Sequence, residues 1–210
     1  MVRILLFGAP GSGKGTQAEL LGERYGYVKI ATGDLIRNEV KNRSEIGIAA
    51  MKIIEDGKLI PDNIIIEMVR KNVDKIVNSP GYIMDGFPRT IDQAKYLSEI
   101  KVDKETAIFL KIDESDLIER ITERLYCDSC GAIFNRISNP PESDMTCDIC
   151  GKKLIKRSDD SEETIKKRIS VFKEETEPVI NFYRNRGVLK EIEASGSIDG
   201  IFKEIVGVLS

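Results

Sequence analysis

The chain has 210 residues, 41% of them apolar, which suits one sizeable domain with a real core and room for small insertions. Its 32 basic and 35 acidic residues leave a formal net charge of −3, a balance that argues against a surface devoted to coating nucleic acid or anionic lipid. Histidine is absent, so any chemistry works without imidazole bases, imidazole metal ligands or Ser-His triads.

Val2 to Phe7 (VRILLF) is a continuous apolar run, the signature of a strand buried on both faces of a parallel sheet. The stretch that follows it, with Ala18, Leu20, Leu21 and Tyr25 at helical spacing, predicts a helix closed by Gly26. Val28 to Ala31 reads as a short strand, and Thr32 and Asp34 as capping residues ahead of the next helix. Glu45 to Asp56 and Asn63 to Val77 are further amphipathic helices. GYIMD is a strand ending at Asp85, and FPRTIDQAKYLSEI turns into another helix. Thr106 to Asp113 is a buried strand, ESDLIERITERL a helix, and Glu162 to Tyr183 one long helix. Val188 to Ile192 and Ile198 to Leu209 close the chain as strand and helix. Strands alternating with helices predict an α/β fold with a doubly wound parallel sheet. No window approaches the ~18 consecutive apolar residues of a membrane span. The apolar start, Ile4 to Phe7, is too short for a signal-peptide core, so the expected location is cytoplasmic, with no membrane and no nucleic acid as partner.

Gly8 to Lys14 has the spacing G-x-x-x-x-G-K, with the strand before it and the helix after it that a phosphate-binding loop requires. Glycines let successive N–H groups turn inward on an anion, the helix adds the positive end of its dipole, and Lys14 reaches the outer phosphates. The general pattern places Ser or Thr directly after the lysine, on Mg²⁺. Here Gly15 stands there and Thr16 comes next, so the loop indicates a nucleoside triphosphate and leaves the metal's holder open.

Residues 126 to 157 break the α/β alternation and hold all four cysteines. Cys127-x₂-Cys130 and Cys147-x₂-Cys150, each followed by glycine, have zinc-ribbon spacing, and four thiolates favour a closed, structural Zn²⁺ site. Two disulfides or four unrelated thiols are the alternative. Between Cys127 and Arg157 there are four acidic and five basic residues, and Phe134 is the one aromatic, which is too little for a nucleic-acid platform.

The loop GAPGSGKGT resembles that of the nucleoside monophosphate kinases, the adenylate kinases in particular. Further along, ATGDLIR, GKLIPD, DGFPRTIDQA, RITERL and RSDDSEETIKKR resemble that family's other segments in the same order, across nearly the whole chain. The resemblance extends to the subset of adenylate kinases with a zinc-stapled lid. It implies a P-loop core at 1–30, 61–124 and 161–210, an AMP-binding subdomain at 31–60 and a zinc-binding lid at 125–160. It implies reversible transfer of a phosphoryl group from MgATP to AMP, giving two ADP, by a monomer.

By the same resemblance, ATP meets Gly11, Ser12, Gly13, Lys14, Gly15, Thr16, Arg120, Arg124, Ile133, Phe134 and the backbone of Ile198. AMP meets Thr32, Arg37, Lys58, Leu59, Ile60, Gly86, Phe87, Pro88, Arg89 and Gln93, with Arg157 and Arg168 brought in by the lid. Lys14, Arg89, Arg124, Arg157 and Arg168 neutralise the transferring charge; Asp85, ending an apolar strand next to the loop, can orient Mg²⁺ through its waters, with a capping role as its alternative. The resemblance also implies a cis bond between Phe87 and Pro88. Transfer between nucleotides needs positioning and charge neutralisation more than a base, and guanidinium forks supply both. Singly, each arginine also reads as a solvated charge, Thr32 as a helix cap, and Asp159 with Asp160 as either a brace for the lid or an exposed acidic pair. Two rival readings stand beside this one. One is a kinase for uridylate or guanylate; the other is a P-loop switch whose ribbon holds a partner.

Overall fold

The computed structural model describes residues 1–76 and 78–209, so the predicted helix end at Val77 and the core's last residue, Ser210, lie outside the described residues. Strand β1 (Val2–Phe7) leads through a glycine loop into helix α1 (Lys14–Tyr25), and β2 (Val28–Ala31) into α2 (Thr32–Lys41). Helices α3 (Glu45–Glu55) and α4 (Asp62–Val73) precede β3 (Gly81–Asp85) and α5 (Ile91–Glu99). Strand β4 (Lys104–Lys111) and α6 (Glu114–Thr122) lead to a short hairpin, β5 (Arg124–Tyr126) and β6 (Ile133–Asn135). The chain returns through α7 (Glu162–Val171), α8 (Glu177–Asn185), β7 (Leu189–Glu193) and α9 (Ile198–Leu209).

Among the described residues, five strands form one parallel sheet in the order β2-β3-β1-β4-β7. Strand β1 sits centrally, and alternation along it feeds two cores. Leu5 and Phe7 pack with Tyr82, Met84, Leu97 and Tyr183 on one face. Ile4 and Leu6 pack with Ala18, Leu21, Ile201 and Ile205 on the other. The register places Asp85 beside Leu6 of β1 and Ala31 of β2. Three strand ends and the glycine loop therefore open on one crevice at the carboxyl edge, where doubly wound sheets bind ligands.

Four local expectations change. The segment Glu114 to Leu125 does not stay helical: α6 ends at Thr122, and Arg124 and Leu125 pair as strand with Asn135 and Phe134. Leu125 thereby enters the small core of the inserted segment, with Cys127, Phe134, Cys147 and Leu154. The long helix from Glu162 is interrupted by a π-helical turn over Phe172–Thr176, where the N–H of Glu177 reaches back to the carbonyl of Phe172. Pro178, which has no N–H and clashes with the carbonyl four residues earlier, accounts for the break. Thr32 does not cap α2, because the helix begins at Thr32 itself and Ala31 precedes it without a side-chain cap. Strand β4 also begins two residues earlier than Thr106 and ends at Lys111. Among the described residues no helix is long and apolar enough to cross a membrane.

Candidate active site

A cleft of about 660 Å³ runs across the carboxyl edge of the sheet. Gly11, Gly13, Lys14, Gly15 and Thr16 line its floor, and Ile133 and Phe134 of the inserted hairpin its roof. The two meet closely: a Cβ on Gly15 would lie 3.4 Å from Ile133 Cδ1 and 3.5 Å from Asp85 Oδ2. Gly11 has a left-handed φ of +85°, and a Cβ there would sit 2.7 Å from Ile121 Cγ1, so only glycine lets the loop approach α6 this way. Lys14 donates to the carbonyls of Gly8 and Ala9 at 2.8 and 2.9 Å, which folds its side chain back over the loop. Burial pushes the Lys14 ammonium down to about 8, with Asp85 opposing and Arg89, Arg168 and Arg124 reinforcing the shift.

The second half of the cleft is built by β2, α2, the Lys58–Ile60 segment and the Gly86–Arg89 turn. Lys58, Leu59, Ile60, Gly86, Pro88, Arg89 and Gln93 all line it, as do Thr32 and Arg37. Phe87–Pro88 is cis, as the resemblance implies. Gly86 has φ +76°, and a Cβ on it would meet the Arg89 guanidinium at 2.7 Å. Arg89 Nε donates to the Gly86 carbonyl at 2.9 Å, so the turn folds the guanidinium under itself. The Thr32 hydroxyl donates to the same carbonyl at 2.8 Å, leaving only its lone pairs to serve a ligand. Phe87 and Ser12 do not line the cleft: Phe87 is in the core, and Ser12 is buried beneath the loop.

Nine basic and four acidic side chains line this cleft, a clear cationic surplus. Arg120, Arg124, Arg157 and Arg168 enter it from the inserted segment and its flanks. Burial, reinforced by neighbouring arginines, pushes Arg89 down to about 10 and Arg157 down to about 9. Arg157 lies over the Tyr126 ring at 4.6 Å and Arg37 over it at 5.8 Å, and the buried Nε of each meets no acceptor among the described residues. Such donors suit the oxygens of a polyanion. Asp159 and Asp160 are buried braces rather than exposed charges. Arg124 donates to both Asp160 oxygens, and Arg168 reaches Asp159 Oδ2 at 2.9 Å and Asp160 Oδ1 at 3.3 Å. The arginines around Asp159 hold its carboxyl below the usual range despite burial, which by itself pushes it up.

Three contributors escape the sequence reading. Gln17, almost fully buried, donates to the Ile198 carbonyl at 3.0 Å and so ties α1 to the start of α9 where Ile198 lines the cleft. Thr176, in the π turn, donates to the Arg89 carbonyl at 3.2 Å. Asp62 accepts from Gln93 and from Thr90, each at 2.7 Å. Each partnership joins residues far apart in sequence, and no local pattern announces it.

The four cysteines come together. Their sulfurs lie within 4.8 Å of one another, with Cys127–Cys150 at 3.4 Å and Cys130–Cys147 at 3.6 Å. These spacings are far longer than the ~2.05 Å of a disulfide. They are close to the ~3.8 Å between sulfurs that ~2.3 Å zinc–thiolate bonds give in a tetrahedron. Burial pushes the Cys127 thiol up, but hydrogen bonds from the backbone N–H groups of Cys130 and Ser129, together with those to the Cys150 and Cys130 side chains, outweigh it and hold the thiol at about 7.

Comparison with known proteins agrees with the geometry. The sequence model of the adenylate kinase family matches residues 6–188. An adenylate kinase of Methanosarcina barkeri is 42% identical over 212 residues, covering 99% of this chain and 98% of the relative. Adenylate kinases of Clostridium botulinum and Clostridium beijerinckii are 40% and 39% identical over the same length, with the same coverage. With a glycine loop, an arginine-rich second subsite and likeness along nearly its whole length, this chain belongs to the adenylate kinase family.

Proposed function

We propose that the chain carries out its family's reaction, moving the terminal phosphoryl group of MgATP to AMP and back again, with two ADP as products. The observation that carries this reading is one cationic cleft with two ends, a phosphate loop at one and the Arg37–Arg89–Gln93 pocket at the other. A switch or ATP-driven binding protein needs the first end and has no use for the second.

In this reading Lys14 and the loop amides hold the ATP phosphates, with Arg120, Arg124, Ile133, Phe134 and Ile198 around the rest of that nucleotide. Arg37 and Arg89 hold the AMP phosphate, and Thr32, Lys58, Leu59, Ile60 and Gln93 surround its base. Arg157 and Arg168 bridge the two sets, so negative charge moving between nucleotides stays among fixed cations throughout. The attacking oxygen of AMP is already anionic, and no side chain has to remove a proton. Asp85, beside Gly15 at the end of β3, would hold the hydration shell of a Mg²⁺ carried in with ATP, which would supply neutralisation of phosphate charge.

We assign residues 1–30, 61–124 and 161–210 to the core, 31–60 to the AMP subdomain and 125–160 to the lid. The lid and AMP subdomain already touch: Lys41 donates to the carbonyl and carboxylate of Asp128 at 2.9 and 3.0 Å. Closure of both over the substrates excludes the water that would otherwise take the phosphoryl group. Zn²⁺ is the ion we assign to Cys127, Cys130, Cys147 and Cys150, with a structural role. We take the working form to be a cytoplasmic monomer that needs no macromolecular partner.

The test is a panel in which MgATP is mixed separately with AMP, GMP, UMP and CMP, and the diphosphates are quantified. Rapid ADP formation with AMP alone supports the reading; turnover only with another monophosphate moves the base assignment. The pH dependence gives a second check. Lys14 is charged below about 8 and loses its proton as pH rises through that value. In the free enzyme kcat/KM for ATP therefore falls about tenfold per pH unit above 8. A flat profile to pH 9.5 contradicts the role given to Lys14.

A further inference from the structure

Gln93 is held by two partners of opposite chemistry. Its Oε1 accepts the backbone N–H of Arg89 at 2.8 Å, and its Nε2 donates to Asp62 Oδ1 at 2.7 Å. Asp62 Oδ2 accepts the Thr90 hydroxyl at 2.7 Å, and Thr90 Oγ1 accepts the Gln93 backbone N–H at 3.3 Å, which closes a ring at the start of α5. A main-chain N–H can only donate and a carboxylate can only accept. Together they allow the Gln93 amide one of its two orientations. The side chain is buried, 2% exposed, and it lines the cleft.

We infer that Asp62 is a positioning residue for base selection: with the N–H of Arg89 it locks the Gln93 amide in the orientation that a 6-aminopurine complements and a 6-oxopurine does not. This rests on the reading of Gln93 as the contact to the acceptor base. After serving Arg89 and Asp62, the amide retains one N–H and one oxygen lone pair. A 6-aminopurine offers the matching pair, an exocyclic N–H donor beside the N1 acceptor. A 6-oxopurine offers the reverse, an O6 acceptor beside an N1–H donor. An amide free to turn over serves either base. A locked amide faces the oxopurine donor to donor and acceptor to acceptor, and the unpaired buried groups supply the discrimination.

Asp62 has a plainer role available. It is the first residue of α4, where a carboxylate suits the helix dipole. That role alone affects stability and leaves the choice between bases untouched, so the two can be separated.

The experiment uses the full-length enzyme with MgATP and with AMP and IMP in competition, which differ only at the purine 6-position and N1. The ratio of kcat/KM values is compared among the unmodified enzyme, Asp62→Ala, Asp62→Asn and Gln93→Ala, with melting temperatures alongside. Asp62→Ala is expected to raise KM for AMP about tenfold, leave KM for ATP unchanged and narrow the AMP:IMP ratio about tenfold. Asp62→Asn is expected to retain most of the ratio, because its Oδ1 still accepts from Gln93 while the Thr90 hydroxyl turns to accept from its Nδ2. Should the alanine variant not fold, Asp62→Ser carries the same test: serine suits a helix start but is too short to reach Gln93. An unchanged ratio in the Asp62 variants, with Gln93→Ala collapsing it, overturns the inference and leaves Gln93 as the base contact. Equal losses for both monophosphates with a lowered melting temperature assign Asp62 to the helix start and likewise overturn it. An unchanged ratio in Gln93→Ala overturns the reading of Gln93, and the inference with it.

Discussion

Arg89→Ala lowers kcat with AMP by about a thousandfold and leaves the Kd for ATP within about threefold of its starting value. Arg89 is half-buried at the second end of the cleft, with its guanidinium returned to the Gly86 carbonyl. Its main chain is held from both sides, by Gln93 at the N–H and Thr176 at the carbonyl. A guanidinium fixed so firmly is placed to follow charge as it develops on the transferring group, a role worth far more than binding alone. The stability consequence has the opposite sign. Burial and the nearby Arg168 push Arg89 down, and Arg89 in turn helps to push Lys14 down, so the cations oppose one another before any phosphate arrives. Arg89→Ala is therefore expected to melt no lower than the parent chain, a trade of stability for function. Steady-state kinetics, calorimetric ATP titration and a melting curve check all three statements. Lost ATP binding with AMP handling unchanged contradicts the assignment of the two ends.

Removing the metal is the second large effect. The lid's core consists of Leu125, Phe134 and Leu154 around Cys127 and Cys147. Burying three such side chains contributes about 2 kcal/mol each. Ordering the lid costs about 1–2 kcal/mol for each of its residues, so the apolar contacts alone do not hold it. Chelation, or Cys147→Ser, is expected to lower the melting temperature on the order of 10 °C and to unfold the lid while the sheet core remains. Phosphoryl transfer falls but does not vanish, since Lys14, Arg37 and Arg89 lie outside the lid. Circular dichroism and a coupled assay on metal-free protein check this. A metal-free protein that stays fully folded yet loses all activity contradicts a purely structural ion.

The parts of this molecule legible in sequence are those written in short-range pattern. The apolar run Ile4–Phe7 of β1, the glycine loop, the Asp85 strand end and the paired cysteine knuckles each occupy a few adjacent residues, and the fold places them as expected. What stayed hidden depends on contacts across the fold. ITERL continues a helical pattern, and only pairing with Ile133–Asn135 turns Arg124–Tyr126 into a strand. The π turn at Phe172–Thr176 is invisible in a periodic run, although Pro178 is its local trace. Arg3 sits within the apolar run of β1 yet is almost fully buried, because Glu105, the Tyr82 hydroxyl and the Ile100 carbonyl receive its guanidinium. The Asp62–Gln93 bond spans 31 residues and follows from the way α4 meets α5. Nor does sequence separate a solvated arginine from one that lines the cleft; the placement of Arg89, Arg157 and Arg168 in its walls does.

The most direct test of a two-ended transfer cleft follows the phosphoryl group itself. The protein is mixed with Mg²⁺, ATP labelled at its γ-phosphorus and unlabelled AMP, and the label is located before the mixture equilibrates. The account predicts that the label appears at the β-position of ADP formed from AMP, with no inorganic phosphate beyond background. Label released as inorganic phosphate at a rate indifferent to AMP would contradict it, and would make the cleft a hydrolytic one.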